Sequence, residues 1–415
     1  MMREFWKLGN FGMNHDWLRS AVKRYDDCNR ATLEFILSRA PLKGAFVDTK
    51  VHSISGENYD GACGIRGPEF TFGWIQGRAL EALMTFAHFY HDRDPDLSRR
   101  LVDRARLLFE GLDALFRRDG HLYFLYDRDL QPVRATADGT ISQQAEKDIF
   151  TYSDAFAAKG LFAASRVFAA DRSSLYLDYL LSVIEAVEEG RFQMSETVPI
   201  SRKSVTGQAD DFGPRMILLG AAGLLHRHGE TANTEFAGRF IDHVLDRHHH
   251  APTGLLLNVP GDDTCNVGHA IELCGFGFEH LQTTPDDARL RKLGSVLVRS
   301  LQIGLQGPGI ALYLSAATGK ATSAHYPWWP MPEAIRACAL GMHLDPDLDL
   351  QTLWKRCDHA FFTDYWQASR GFAFQTRDVL EPVDFVPATP DLDPGYHTGL
   401  SLLGATQAIG LLLAR

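Results

Sequence analysis

The sequence predicts an all-α protein built as one closed toroid of helical hairpins. Three observations carry that expectation. Apolar residues recur at i, i+3, i+4 and i+7 in segment after segment; short Gly-, Asp- and aromatic-rich stretches separate those segments; and no Pro/Ser-rich linker or composition shift divides the 415 residues. A single domain over residues 1–415 is therefore expected.

The helical spacing begins clearly at residues 80–87 and continues through 101–116, 153–169, 174–188, 215–228, 234–245, 268–281, 286–302, 332–341, 350–362 and 398–413. Strand-like alternation is short. Residues 121–129 and residues 309–314, the latter running into Thr318-Gly319-Lys320, read as β-hairpins that cap helix ends. The rhythm of helix, hairpin or loop, helix repeats at about 50 to 60 residues per pair, so roughly six pairs fit the length. Residues 45–69, with Gly56, Gly61, Gly64 and Gly67, form the longest stretch without period and are expected over the mouth of the toroid.

Composition narrows the function. A hydrophobic fraction of 45% with 23% charged residues allows a large core. The 42 Lys and Arg against 52 Asp and Glu, with no basic tract, argue against nucleic acid as a partner. No window approaches the ~18 apolar residues that span a bilayer. The start, Met1 to Trp6, lacks the apolar run of a secretory signal, so a cytoplasmic protein is expected. Cys28, Cys63, Cys265, Cys274, Cys338 and Cys357 form no CxxC pair, which suggests buried or partly buried thiols rather than a zinc ribbon or disulfides. The run His248-His249-His250 looks like a metal tract, but adjacent residues point in different directions on a helix or strand, so no metal site is expected.

Four segments have the residue types of a reactive site. Tyr326-Pro327-Trp328-Trp329-Pro330-Met331-Pro332-Glu333 puts two Trp before an acid at a helix start, where a Trp offers a platform for the carbon face of a sugar and Glu333 accepts hydroxyl hydrogen bonds or orients a histidine. The same residues also make ordinary helix-opening chemistry. Asn266-Val267-Gly268-His269-Ala270-Ile271-Glu272 opens an apolar helix with a His whose position at the positive helix end favours neutral imidazole, and Glu272 follows one turn on. Asp391-Leu392-Asp393-Pro394-Gly395-Tyr396-His397 places a second His at a helix start. Phe72-Gly73-Trp74-Ile75-Gln76-Gly77-Arg78 sets an Arg near the start of an apolar helix, where it requires an anion, several polar partners, or pairing with Glu81 or Glu69.

These motifs, in this order, resemble the N-acylglucosamine 2-epimerase family, which includes cellobiose 2-epimerases and mannose and other aldose–ketose isomerases. Trp74 to Arg78 is similar to its Trp-x-Gln-x-Arg segment, Asn266 to Glu272 to its Pro-Gly-His-x-x-Glu, Tyr326 to Glu333 to its Trp-Trp-Pro-x-x-Glu, and His397 to its final histidine. Tyr123 to Asp129 and Phe150 to Ala157 also resemble family stretches, so the likeness covers residues 70–415. Val267 stands where the family has Pro, Pro332 precedes Glu333, and residues 1–68 match poorly. Residues 212–219 lack the further His of the isomerases and cellobiose epimerases, which resembles the acylglucosamine branch better, yet that branch's effector-nucleotide segment is absent.

The resemblance implies an (α/α)6 barrel, a small sugar substrate, no cofactor and no metal, with a homodimer as its common assembly. It implies removal of the C2 proton of a ring-opened hexose or N-acylhexosamine to a cis-enediolate. His269 and His397 would be the acid–base pair, Arg78 would hold the C1/C2 oxygens, and Glu333 would support a histidine. Trp74, Gln76, Tyr123, Glu272, Trp328 and Trp329 would bind the sugar. A glycoside or unsaturated-uronide hydrolase on the same barrel needs paired carboxylates, for which only Asp210-Asp211 and Asp262-Asp263 offer themselves. A non-catalytic sugar-binding protein would have no need of both histidines.

Overall fold

The computed structural model describes residues 14–386 and 388–415, so the reading of Met1 to Trp6 lies outside the described residues. Twelve α-helices of ten residues or more are found among them: α1 His15–Ser38, α2 Gly73–Tyr90, α3 Pro95–Asp119, α4 Tyr152–Phe168, α5 Ser173–Glu188, α6 Gly213–Arg227, α7 Glu235–Arg247, α8 Val267–Leu281, α9 Asp287–Gly304, α10 Pro330–Leu344, α11 Gln351–Ala360 and α12 Ser401–Leu413. Even-numbered helices pack side by side into an inner ring, each backed by an odd-numbered helix, which is an (α/α)6 barrel. None of these helices is long and apolar enough to cross a membrane.

Burial separates the two rings. Every residue of α4 from Ser153 to Ser165 is buried, as is every residue of α10 from Pro330 to Met342, because inner helices meet neighbours on all sides. Outer helices such as α3 bury one stripe, Leu97, Leu101, Ala105, Leu108 and Leu112, and turn their charges outward. Caps begin the helices where the chain supplies them: Asn14 Oδ1 accepts from Trp17 N–H at α1, Thr151 and Asp154 form a capping box at α4, and Asn266 Oδ1 accepts from His269 N–H at α8.

Helix α1 was not legible in the residue spacing, yet it closes the ring. It backs α12, the last inner helix, and is tied to α11 by Arg24 and Tyr25 on the Asp358 carboxylate at 2.7 and 2.8 Å. Its buried stripe includes Cys28, Asn29 and Thr32, so the apolar period is diluted.

The strands are shorter and arranged differently from the expected hairpins. Leu125–Tyr126 lies between Thr71–Phe72 and Pro132–Thr136 in a four-stranded sheet, so residues 121–129 do not form a hairpin of their own. Gly309–Ile310 turns back onto Leu305–Gln306 through Gly307 at φ +56°, whereas Leu314–Ser315 leaves to pair with Thr264–Cys265. Four of these ladders end within three residues of an inner helix: Thr71–Phe72 at α2, Phe150–Thr151 at α4, Thr264–Cys265 at α8 and Tyr326–Pro327 at α10. They pin helix N-termini at one end of the barrel.

Residues 45–69 do not line the mouth. They brace it from outside: Thr49 Oγ1 donates to Asp391 at 3.2 Å, Lys50 Nζ lies 2.8 Å from the same carboxylate, and Thr49 O accepts from Leu392 N–H. The six cysteines are free; five are buried and Cys63 is exposed, which departs from the expectation for that one.

Helices α2 and α4 touch backbone to backbone. A Cβ at Gly160 would stand 2.5 Å from Gly77 O, and one at Gly77 would stand 2.6 Å from the carbonyl carbon of Phe156. Gly160→Ala is expected to destabilise the protein by about 1–3 kcal/mol, since neither backbone can yield. Gly410→Ala on α12, with nothing within 4 Å of the added methyl, is expected to be neutral or stabilising by up to about 1 kcal/mol. Denaturant unfolding of the two variants side by side tests the contrast.

Candidate active site

The inner helices all present their N-terminal turns to one cavity of about 240 Å³. Helix α2 contributes Trp74, Ile75 and Arg78; α4, Tyr152 and Phe156; α6, Met216 and Ile217; α8, His269 and Glu272; the turns before α10 and α12 contribute Trp328, Trp329 and His397. Six positive dipole ends facing one volume favour an anion or a developing oxyanion there.

His397 lies in the π-helical turn Tyr396–Leu400 rather than in a regular helix. The Asp393 carboxylate accepts from the backbone N–H groups of Tyr396, His397 and Thr398 at 3.0, 3.2 and 2.9 Å, and Gly395 takes φ +85° to let the chain enter. The imidazole Nδ1 lies 3.1 Å from Glu333 Oε1. Arg336 holds the other Glu333 oxygen at 2.5 Å, so this carboxyl stays below its usual range although burial works against its charge. A carboxylate only accepts, so His397 donates through Nδ1 and leaves the Nε2 lone pair for the cavity.

His269 lines the same cavity. Burial, with His397 adding in the same direction, pushes its imidazole down to about 4, so it is neutral at pH 7. The Trp329 ring lies 5.6 Å from each of the two histidine rings. The same indole packs onto Gly268, where a Cβ would collide with the ring, which explains why glycine precedes His269.

Three buried polar atoms on this cavity lack a partner: Arg78 Nε, His269 Nδ1 and Glu272 Oε1. Unpaired buried groups are rare and point to a ligand. Arg78 pairs with neither candidate acid, because Glu81 lies 3.1 Å from Lys159 and Glu69 lies 2.9 Å from Arg128. Its guanidinium rests instead over the Phe156 ring at 4.0 Å, with Tyr396 and Trp74 at 5.5 and 5.6 Å. Burial lowers its pKa against the opposing charges of Glu272, Asp393 and Glu333, and among the described residues no carboxylate lies within ion-pair distance of it. Burial also lifts the Glu272 carboxyl to about 7, with the Glu333 charge adding to the effect.

Two residues expected at the sugar are elsewhere. Gln76 is buried with its amide closed on the Val47 backbone at 2.8 and 3.1 Å. Tyr123 accepts from Ala145 N–H at 3.1 Å and does not line the cavity. Neighbouring residues on a helix face different ways, so one turn carries Trp74 and Arg78 inward and Gln76 outward. Trp74 is part of the wall and donates through Nε1 to Glu196 at 2.9 Å.

The acid pairs decorate loops, as their sequence context suggested. Asp211 accepts from Gly213 N–H and Asp263 from Ala317 N–H, and neither lines the cavity. Residues the spacing did not single out include Asn266, Tyr152, Tyr313 and Thr389 on the walls. Lys159, buried at 2.6 Å from the Tyr396 hydroxyl, was signalled by a cation in the middle of an apolar helix. The donor atoms of Glu272, Glu333 and His397 lie within 4.8 Å of one another, close enough for a metal, although Arg336 already occupies one oxygen of Glu333.

Among solved structures, cellobiose 2-epimerase from Spirochaeta thermophila superposes with a TM-score of 0.71 at 15% identity, covering 96% of this chain and 98% of its own. Cellobiose 2-epimerase from Bacillus thermoamylovorans gives 0.69 at 15% identity over 94% and 99%. A D-mannose isomerase gives 0.69 at 13% over 95% and 98%. The chain has their fold. No family model and no curated protein sequence matches it.

The raised Glu272 pKa has a consequence for stability. The folded protein holds a proton there up to pH 7 that the unfolded chain releases in the ordinary carboxylate range, so this contribution is lost as pH rises from about 4.5 to 7. Glu272→Gln cannot ionise, and its melting temperature relative to the parent is expected to be higher at pH 8 than at pH 5. Thermal melts across that range check it; parallel curves would contradict the assignment.

Proposed function

We propose that the protein is a sugar 2-epimerase or aldose–ketose isomerase that acts by proton transfer at C2. The observation that carries this reading is that His269, His397 and Arg78 line one cavity, with Arg78 Nε and His269 Nδ1 buried and without a hydrogen-bond partner. A proton next to a carbonyl becomes removable only when a base is in reach and the new oxyanion is stabilised. His397, oriented by its Nδ1 hydrogen bond to Glu333, is the base through Nε2. Arg78 and the six helix N-termini stabilise the enediolate oxygens on C1 and C2. His269 is the second acid–base group: having taken a proton from the sugar O1 hydroxyl as the ring opens, it delivers that proton to the opposite face of C2 to give the epimer, while His397 loses the abstracted proton to water. Transfer of the abstracted proton from His397 to C1 gives the ketose.

Trp329 provides an apolar surface beside the two histidines, suited to the carbon face of a ring. A 150 Å³ cavity holds benzene, so about 240 Å³ suits one hexose rather than two at this position. The fold shared with sugar epimerases and a mannose isomerase supports the same reading. Hydrolysis would need a carboxylate pair free to face the substrate. The carboxylates of Asp391 and Asp393 on the cavity are engaged by Lys50 and by backbone N–H groups.

Incubation in D2O with N-acetylglucosamine, N-acetylmannosamine, mannose, glucose and cellobiose, followed by NMR, is expected to show loss of the C2 proton signal from one of them. His397→Ala is expected to abolish the exchange. Failure of all five sugars to exchange would overturn the reading for these substrates. With the exchanging sugar, Arg78→Ala is expected to lower kcat by roughly 10²–10³-fold, the loss typical of one oxyanion donor. Glu333→Gln is expected to lower kcat more than it raises KM, because it disturbs the orientation of the base and not the sugar contacts.

A further inference from the structure

We propose that Asp210, His243 and His248 form a binding site for a zinc-class divalent transition-metal ion, apart from the sugar cavity and independent of the reading of that cavity. Asp210 lies in the loop before α6, His243 in the last turns of α7, and His248 at the residue that follows that helix. One donor atom from each lies within 4.8 Å of the others. None of the three lines the sugar cavity.

The site is built rather than incidental. His248 is 0% exposed, and its Nδ1 donates to Leu257 O at 3.0 Å. That bond fixes the tautomer, leaves the Nε2 lone pair unpartnered in the interior, and matches the way metal-ligating histidines are oriented by a backbone carbonyl. His243 Nε2 is likewise buried without a hydrogen bond, 3.4 Å from Asp210 Oδ1. That separation is too long for a good hydrogen bond. It equals the edge of a tetrahedron whose metal–ligand bonds are about 2.0–2.1 Å, roughly 3.3–3.4 Å. Two His nitrogens and one carboxylate oxygen are a zinc donor set with a fourth position left for water.

Asp210 also has cationic neighbours. Arg215 Nη1 lies 3.3 Å from Oδ1 and Arg247 Nε 3.0 Å from Oδ2. Arg247 has a side chain 57% exposed and can turn away into water. These guanidiniums compete with an ion for the carboxylate, so removing Arg247 should strengthen metal binding. A merely structural Asp–Arg–His cluster makes no such prediction. An ion here would also tie down Phe212, whose ring lies 5.4 Å from His248 and 6.2 Å from His269, so the site reaches the reactive histidine through one aromatic side chain.

The full chain, stripped with chelator, is titrated calorimetrically with ZnCl2, and retained zinc is measured after gel filtration. One ion per chain is expected, retained in His249→Ala, which alters the exposed neighbour of the tract. His243→Ala is expected to weaken binding at least tenfold, with His243→Gln as the substitute if the alanine variant does not fold. Arg247→Ala is expected to tighten it threefold or more. Absence of binding to the parent, binding unaffected by either change at His243, or binding lost in His249→Ala would overturn the proposal.

Discussion

Six inner helices begin at the same end of the barrel, and that shared direction is the constraint on which the site depends. Each brings backbone N–H groups and a positive dipole end to the same small volume. A cavity so placed is electropositive before any side chain is considered, which suits chemistry in which charge develops on oxygen. The short ladders at α2, α4, α8 and α10 pin these helix starts, so the groups they present to the cavity are held by paired backbone rather than by a fraying turn.

The second constraint is charge kept out of water. Glu333, Arg336, Glu272 and His397 are buried together, Glu272 and His397 on the cavity wall and Glu333 and Arg336 behind them. Burial of one such group alone would be prohibitive, and the set persists because Arg336 compensates Glu333 and Glu333 in turn accepts from His397. Glu272 is left to respond by holding its proton, and Arg78 by lying on aromatic faces. The incomplete compensation on the cavity side is what distinguishes this cluster from a structural ion pair such as Lys50 with Asp391.

Much of this was legible in the residues. The inner helices announce themselves because burial on all sides removes polar residues from long segments, and the polar exceptions that remain, Arg78, His269, Glu272, Glu333 and His397, are conspicuous for that reason. Helix α1 escaped notice because its buried face carries Asn29, Thr32 and Cys28 among the apolar residues. Gln76 was misplaced because a motif records neighbours in sequence, whereas one residue along a helix turns the side chain by about 100°, and Tyr123 because its hydroxyl closes on Ala145 N–H away from the cavity. The histidine tract was read correctly as three residues that diverge, but the partners of His248 come from α7 and from the loop before α6, which spacing within the tract does not reveal.

Local sequence alone determined what local physics controls: the helical period, the caps, the all-helical class, and the residue types able to move a proton beside a carbonyl. Tertiary structure decided what depends on residues distant in the chain. It closed the ring with α1 against α12, set Trp329 within 5.6 Å of both His269 and His397, and gave Arg336 rather than the cavity to Glu333. It left Arg78 without an acid, because whether a buried charge is compensated depends on which helices the fold makes neighbours.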